Sequence, residues 1–172
     1  MFSRRQFLLA GGGLGVAALA IGLLPKFSTG SALISAASAA ETFEVTHSDS
    51  EWRAILSDEQ YDILREEGTE RAYSSPLNNE HRDGTFACAG CGLPLFSSAT
   101  KFDSRTGWPS FWAPLDKAVA TRQDRAFGMV REEVHCRRCG GHLGHVFDDG
   151  PKPTGLRYCM NGLAMKFVPT TV

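Results

Sequence analysis

The sequence predicts a small, mainly β domain of short antiparallel strands, entered through a short helix and stapled by a metal site. Three observations carry this reading. From Thr85 onward the chain runs in short segments rich in aromatic or β-branched residues, split by Gly and Pro, the pattern of short strands. Ser57-Asp58-Glu59-Gln60 is a capping-box sequence upstream of them, and it marks a helix start. Two C-x-x-C motifs, at 88–91 and 136–139, are each followed directly by a glycine, as in paired metal knuckles.

Residues 1–40 stand apart. They contain none of the chain's 19 acidic residues but hold Arg4, Arg5 and Lys26. The two arginines directly precede an apolar stretch, Phe7–Leu24, interrupted by five glycines. Glycine weakens a helix by roughly 1 kcal/mol per residue, so the stretch makes a poor permanent anchor. Ala37-Ser38-Ala39-Ala40 offers a small-residue cleavage site. The segment resembles a twin-arginine signal. That resemblance implies export of a folded protein, handled by the twin-arginine machinery and placed in the periplasm. An uncleaved anchor helix is the alternative. No cysteine lies in the segment, which argues against a lipid anchor. Residues 41–172 form the expected single domain. They are net acidic, which argues against nucleic acid as a partner, since phosphate binding needs a positive surface.

Within that domain, residues 41–56 read as a polar lead-in, with Trp52, Ile55 and Leu56 as docking points. A helix is expected from about Asp58 to Glu67, with Tyr61 and Leu64 on one face and Gly68 as its stop. Strands are expected at Thr85-Phe86-Ala87, Val130–Val134, His145-Val146-Phe147 and across Leu156–Val168.

Cys88, Cys91, Cys136 and Cys139 together supply two pairs of thiolates, each from one tight turn, with Gly92 and Gly140 easing the turns. Four thiolates close a tetrahedron and leave no open position, so a metal there is structural, one zinc ion by preference. Such a site contributes about 10–16 kcal/mol of apparent folding free energy. Alternatives remain at this point: a thioredoxin-like dithiol in one motif, His135 as a substitute ligand, and iron in place of zinc.

The fifth cysteine lies in Leu156-Arg157-Tyr158-Cys159-Met160-Asn161. On a strand, Arg157, Cys159 and Asn161 share one face, and Leu156, Tyr158 and Met160 the other. A neighbouring Arg favours the thiolate, the reactive form. A buried structural thiol is the bland alternative. Upstream, His142 and His145 sit in a glycine-rich turn entering a strand, followed by Asp149. An imidazole near Cys159 can carry protons, and Asp149 can orient a histidine or a water. Trp108 lies between Gly107 and Pro109, in a turn. Its face suits either a methyl-sulfur group or the core.

In order along the chain, Cys88-x-x-Cys91, Lys101-Phe102-Asp103-Ser104, Gly107-Trp108-Pro109-Ser110-Phe111, Cys136-x-x-Cys139, Gly141-His142-Leu143-Gly144-His145-Val146-Phe147-x-Asp149-Gly150 and Arg157-Tyr158-Cys159-x-Asn161 resemble the B-type methionine sulfoxide reductases, which act on the R epimer. The resemblance spans about residues 50–168. It implies two antiparallel β-sheets, arranged like a tent, with short N-terminal helices and a structural zinc away from the active site. It implies that Cys159 attacks the sulfoxide sulfur, that His145 protonates the departing oxygen with His142 nearby, and that Asp149 arranges water. Asn161 would fix a histidine or the sulfoxide oxygen, Arg157 would support the thiolate, and Trp108 and Phe111 would hold the substrate. Oxidised proteins are the implied substrates.

One departure matters. Many members carry a resolving cysteine just before Gly-Trp-Pro-Ser-Phe, and this chain has Thr106 there. The expected consequence is a sulfenic acid on Cys159 that an external, thioredoxin-like or other thiol must reduce. Two rivals are a non-catalytic zinc module that binds a protein partner, and a sensor whose C-x-x-C thiolates release metal on oxidation. A binding module has no need of Cys159 between Arg157 and Asn161, and neither rival explains the whole motif set.

Overall fold

The computed structural model describes residues 41–171. The expected export signal lies outside the described residues.

Two helices lead in. Helix α1 (Asp49–Ile55) begins at Ser48, whose hydroxyl accepts from the Glu51 amide while the Glu51 carboxylate receives the Ser48 N–H. That capping box makes a helix of part of the stretch expected as a polar lead-in. The helix has seven residues and buries only Trp52, too little to show a helical period. A helix this short is held by its cap and its docking, not by propensity. Trp52 and Leu56 are buried as expected, but Ile55 is 54 % exposed. Helix α2 (Asp58–Glu66) has the expected Ser57/Gln60 capping box and buries Tyr61, Ile63 and Leu64. Its stop comes one residue earlier than expected: Glu67, not Gly68, takes the left-handed conformation at φ 59°. Gly68 then closes the turn by donating to the Asp62 carbonyl.

Nine short strands follow: β1 (Gly84–Cys88), β2 (Pro94–Ser97), β3 (Lys101–Phe102), β4 (Ser110–Phe111), β5 (Val119–Asp124), β6 (Arg131–Cys136), β7 (His142–Phe147), β8 (Arg157–Met160) and β9 (Met165–Pro169). They form two antiparallel sheets, one ordered β2-β1-β9 and the other β3-β4-β8-β7-β6-β5. The expected fold class is therefore the observed one. The run expected across Leu156–Val168 is two strands. A single-turn 3-10 helix at Gly162–Ala164 separates them, and the chain passes there from the large sheet to the small one. Strand β5 had no signal, because none of its residues is fully buried, three are exposed, and four of its six residues are polar or charged. It is an edge strand, where one side needs no apolar neighbour.

Aromatic side chains from both sheets make the core. Phe111 of β4 stacks on Phe96 of β2 at 4.4 Å between centroids and meets Phe86 of β1 edge-on at 4.9 Å. All three are fully buried. Burial of one such side chain is worth roughly 2–3 kcal/mol. Phe111 was expected to touch substrate; the pleat turns it the other way. Ser110 points to one face of the sheet, so its neighbour Phe111 must point to the opposite, core face.

The four knuckle cysteines join the sheets. Cys88 ends β1 and Cys136 ends β6, and all four sulfurs lie within 4.8 Å of one another. Gly92 and Gly140 adopt φ 73° and 69°, and their amides donate to the Cys88 and Cys136 carbonyls at 2.9 and 2.8 Å. A side chain at either position would be strained. His135 is not a ligand candidate: it lies on the sheet face opposite Cys136, edge-on to Phe43.

Candidate active site

Strand pairing gathers a row of reactive side chains on the other face of the large sheet. Cys159 of β8 is the register partner of His145 on β7 and of Ser110 on β4. Directly opposed residues share a face. Gly144 makes the close approach of β7 and β8 feasible: a Cβ there would stand 2.1 Å from the Cys159 carbonyl oxygen.

His142 and His145 are three residues apart, a spacing that would put them on opposite faces of a regular strand. A β-bulge corrects this. Val134 pairs with Gly144 while His135 pairs with His142, so β7 carries one extra residue and both imidazoles face the same way. Their ring centroids are 5.4 Å apart.

Each imidazole has its own carboxylate. His145 Nε2 lies 2.9 Å from Asp124 Oδ2 on β5, and His142 Nδ1 lies 2.8 Å from Glu133 Oε1 on β6. Asp124 also accepts from the Ala126 amide and from Arg131. That amide first, then His145, holds its carboxyl down at about 2. An ionised carboxylate only accepts, so His145 Nε2 carries a proton and Nδ1 is left for other partners. Burial depresses the His145 pKa, and Asp124 offsets that only in part, so the ring is neutral at pH 7. For Glu133, burial pushes upward, but His142 and Arg122 outweigh it and the net shift is downward. His142 is almost fully buried and lies behind His145, not at the surface.

Arg157, two residues before Cys159, shares its face. Its guanidinium makes a paired contact with Asp149, at 2.8 Å for each bond, and lies over the Phe147 ring. Asp149 therefore orients the arginine, where a histidine or water was expected, and the arginine holds its carboxyl below the ordinary value. Burial raises the Cys159 pKa, while Thr106, Arg157 and Ser110 pull it down without fully cancelling the rise. The resting group is a thiol.

Asn161 departs furthest from expectation. It sits just past β8, its Oδ1 accepts from the Glu70 amide at 3.0 Å, and its Nδ2 donates to the Leu143 carbonyl at 3.2 Å. Both amide ends are engaged with backbone, neither with a histidine. Trp108 occupies the expected turn. Its Nε1 donates to the Glu70 carbonyl, and the turn is pinned beside Cys159 because Met160 N donates to the Pro109 carbonyl.

Sequence reasoning missed Asp124, Glu133, Ser104, Ser110 and Glu70. Asp124 and Glu133 lie on strands whose pairing alone brings them to the histidines. Ser104 and Ser110 sat inside recognised motifs, but a hydroxyl has no spacing rule that marks it.

The cysteine cluster lies on the opposite face of the large sheet from Cys159. Its Cys91–Cys136 and Cys88–Cys139 sulfur separations are 3.5 and 3.8 Å. Four thiolates about 2.3 Å from one tetrahedral ion stand about 3.8 Å apart, so the cluster fits a metal ion.

Residues 56–169 match the SelR domain model. Among curated proteins, the chain is 58 % identical over 122 residues to a peptide methionine sulfoxide reductase MsrB of Thiobacillus denitrificans, covering 70 % of this chain and 92 % of that one. It is 52 % identical over 126 residues to the protein of that name in Leptospira interrogans, covering 73 % and 96 %. It is 54 % identical over 127 residues to that of Agrobacterium fabrum, covering 73 % and 94 %.

Proposed function

The chain belongs to the SelR domain family, and from that premise we propose that it reduces peptide methionine-R-sulfoxide through Cys159, with His145 as the proton carrier. The observation that supports this most directly is the pairing of Cys159 with His145, whose Nε2 is already bound by an ionised Asp124. Only Nδ1 is then free to serve the thiol.

The reaction follows from those protonation states. His145 Nδ1 takes the Cys159 proton. The thiolate attacks the sulfoxide sulfur as the imidazolium returns that proton to the sulfoxide oxygen. The oxygen moves from the methionine sulfur to Cys159, which leaves methionine and a sulfenic acid; the substrate gains two electrons and Cys159 loses two. Arg157, held by Asp149, favours the anionic sulfur. Trp108 supplies an apolar wall for the substrate methyl. An external thiol displaces the sulfenic hydroxyl as water and forms a mixed disulfide, and a second thiol releases Cys159. Every other cysteine of the chain belongs to the metal cluster, so no thiol of this chain is at hand to resolve the intermediate.

The metal we assign to the cluster is one structural zinc ion, supported by the four-thiolate donor set and the sulfur separations. It would tie the two sheets together and take no part in the reaction. We further propose that the chain is exported by the twin-arginine route to the periplasm, where oxidised proteins would be its substrates. Arg4-Arg5 before an apolar stretch and the Ala37-Ser38-Ala39 site support this. A non-catalytic zinc module would leave the Cys159–His145–Asp124 arrangement without a purpose.

A single-turnover assay tests the reading, using separate R and S epimers of a methionine-sulfoxide peptide and no added reductant. About one methionine per protein from the R epimer is expected, with none from Cys159→Ser. No methionine from either epimer, with the fold intact, would remove the reductase mechanism.

A further inference from the structure

The flank of Cys159 away from His145 is a row of hydroxyls. Thr106 Oγ1 lies 3.8 Å from the Cys159 sulfur. Ser104 Oγ lies 2.8 Å from Thr106 Oγ1 and 2.7 Å from Ser110 Oγ. Ser110, fully buried, donates to the Trp108 carbonyl at 3.1 Å.

Proton accounting gives this row a direction. Each hydroxyl has a single proton to donate. The Ser110 proton goes to the Trp108 carbonyl, so Ser104 must donate to Ser110, Thr106 to Ser104, and the Cys159 S–H to Thr106. Every link then has one donor and one acceptor. Ionised Cys159 can only accept. The links are all kept by reversing the row: Thr106 donates to sulfur, Ser104 to Thr106 and Ser110 to Ser104, and only the Trp108 carbonyl loses its hydroxyl partner. A sulfenic acid brings an O–H donor back to Cys159 and restores the first direction.

We propose that Ser104, Thr106 and Ser110 are a hydroxyl chain whose direction follows the chemical state of Cys159, stabilising the thiolate in one sense and the sulfenic acid in the other. Thr106 is its positioning residue, in contact with the sulfur. This extends the Cys159 chemistry proposed above and rests on it. The chain solvates the intermediate with oxygen groups that cannot reduce it. The sulfenic acid is thereby held until an external thiol displaces its hydroxyl as water.

The test compares the wild-type chain with Thr106→Val, Thr106→Ser and Ser104→Ala. The first readout is the pH midpoint for alkylation of Cys159 by iodoacetamide, followed on the Cys159 peptide by mass spectrometry. The second is the lifetime of the sulfenic acid made by one equivalent of hydrogen peroxide, which converts the thiolate to sulfenic acid and hydroxide, trapped with dimedone. Thr106→Val should raise the midpoint by about one pH unit and shorten the lifetime about tenfold, the size expected for losing one hydrogen bond to a charged group. Thr106→Ser should keep both wild-type values. Ser104→Ala breaks the row one link further out and should move both readouts the same way by less; it carries the test if the valine variant does not fold. Wild-type values in folded Thr106→Val and Ser104→Ala would overturn the hydroxyl chain. Because peroxide makes the sulfenic acid without sulfoxide, the shifts can appear when sulfoxide turnover does not, so failure of the reductase mechanism and failure of the hydroxyl chain read differently.

Discussion

Cys159 and His145 are register partners across adjacent antiparallel strands, and Asp124 holds the Nε2 of His145. The relationship spans three strands, because Asp124 stands on β5, His145 on β7 and Cys159 on β8. It gives the imidazole a fixed tautomer and a fixed direction.

Asp124→Asn should therefore impair turnover more than folding. The amide keeps the shape but offers no charge to an imidazolium. The loss of kcat/KM is expected at about 10²-fold, the lower range for a positioned acid–base group. The acid limb of the pH–rate profile should also move to lower pH, because Asp124 is what raises the His145 pKa. Steady-state kinetics with thiol reductant from pH 5 to 9 would show both effects; an unchanged profile would remove Asp124 from the mechanism.

Acid stability carries a second signature of the same carboxylate. Its folded pKa, about 2, lies below the ordinary Asp value of 3.8. A depressed carboxyl contributes stability that is complete above the unfolded value and disappears as pH falls through the folded one. The urea midpoint should decline between about pH 4 and 2, and Asp124→Asn should flatten that decline. Equilibrium unfolding across this range is the measurement, and parallel curves for the two proteins would contradict it.

Phe111 and Trp108 should separate cleanly. Phe111→Ala empties a site between the sheets and should cost about 3–5 kcal/mol of stability, with KM unchanged in whatever fraction folds. Trp108→Ala should raise KM severalfold while costing less stability, since its ring is only half-buried. Denaturant melts paired with kinetics decide the matter. A raised KM in Phe111→Ala would put that ring back at the substrate.

Removal of the metal should unfold the domain, not merely slow it. The four cysteines close the contact between β1 and β6, and a site of this kind is worth about 10–16 kcal/mol, as much as a whole domain's net stability. A strong chelator or Cys136→Ser is expected to abolish the folded circular-dichroism signal, with metal loss followed by elemental analysis. Retained structure and activity in metal-free protein would show that packing alone holds the sheets.

Some of this was written in local order. The α2 capping box, the two knuckles with their glycines and the alternation of Arg157 and Cys159 against Tyr158 and Met160 are rules of adjacent residues, so the sequence suffices to read them. The first helix was also written locally, in Ser48 and Glu51, but with one buried residue it showed no period. The resemblance to a reductase family was legible for the same reason: its motifs are contiguous and come in a fixed order.

What only the tertiary structure decided is which side chains meet. The extra residue in β7 turns two histidines three apart onto one face. The pleat sends Phe111 inward while Ser110 meets Cys159. Asn161 spends both ends of its amide on backbone, and Asp149 turns to Arg157. Asp124 reaches His145 only because β5, β6 and β7 pair in register. The sequence alone determined the chemistry available, because residue type sets what a group can donate, accept or transfer. Pairing register and sheet sidedness decided how that chemistry is assembled, because they depend on contacts between segments far apart in the chain.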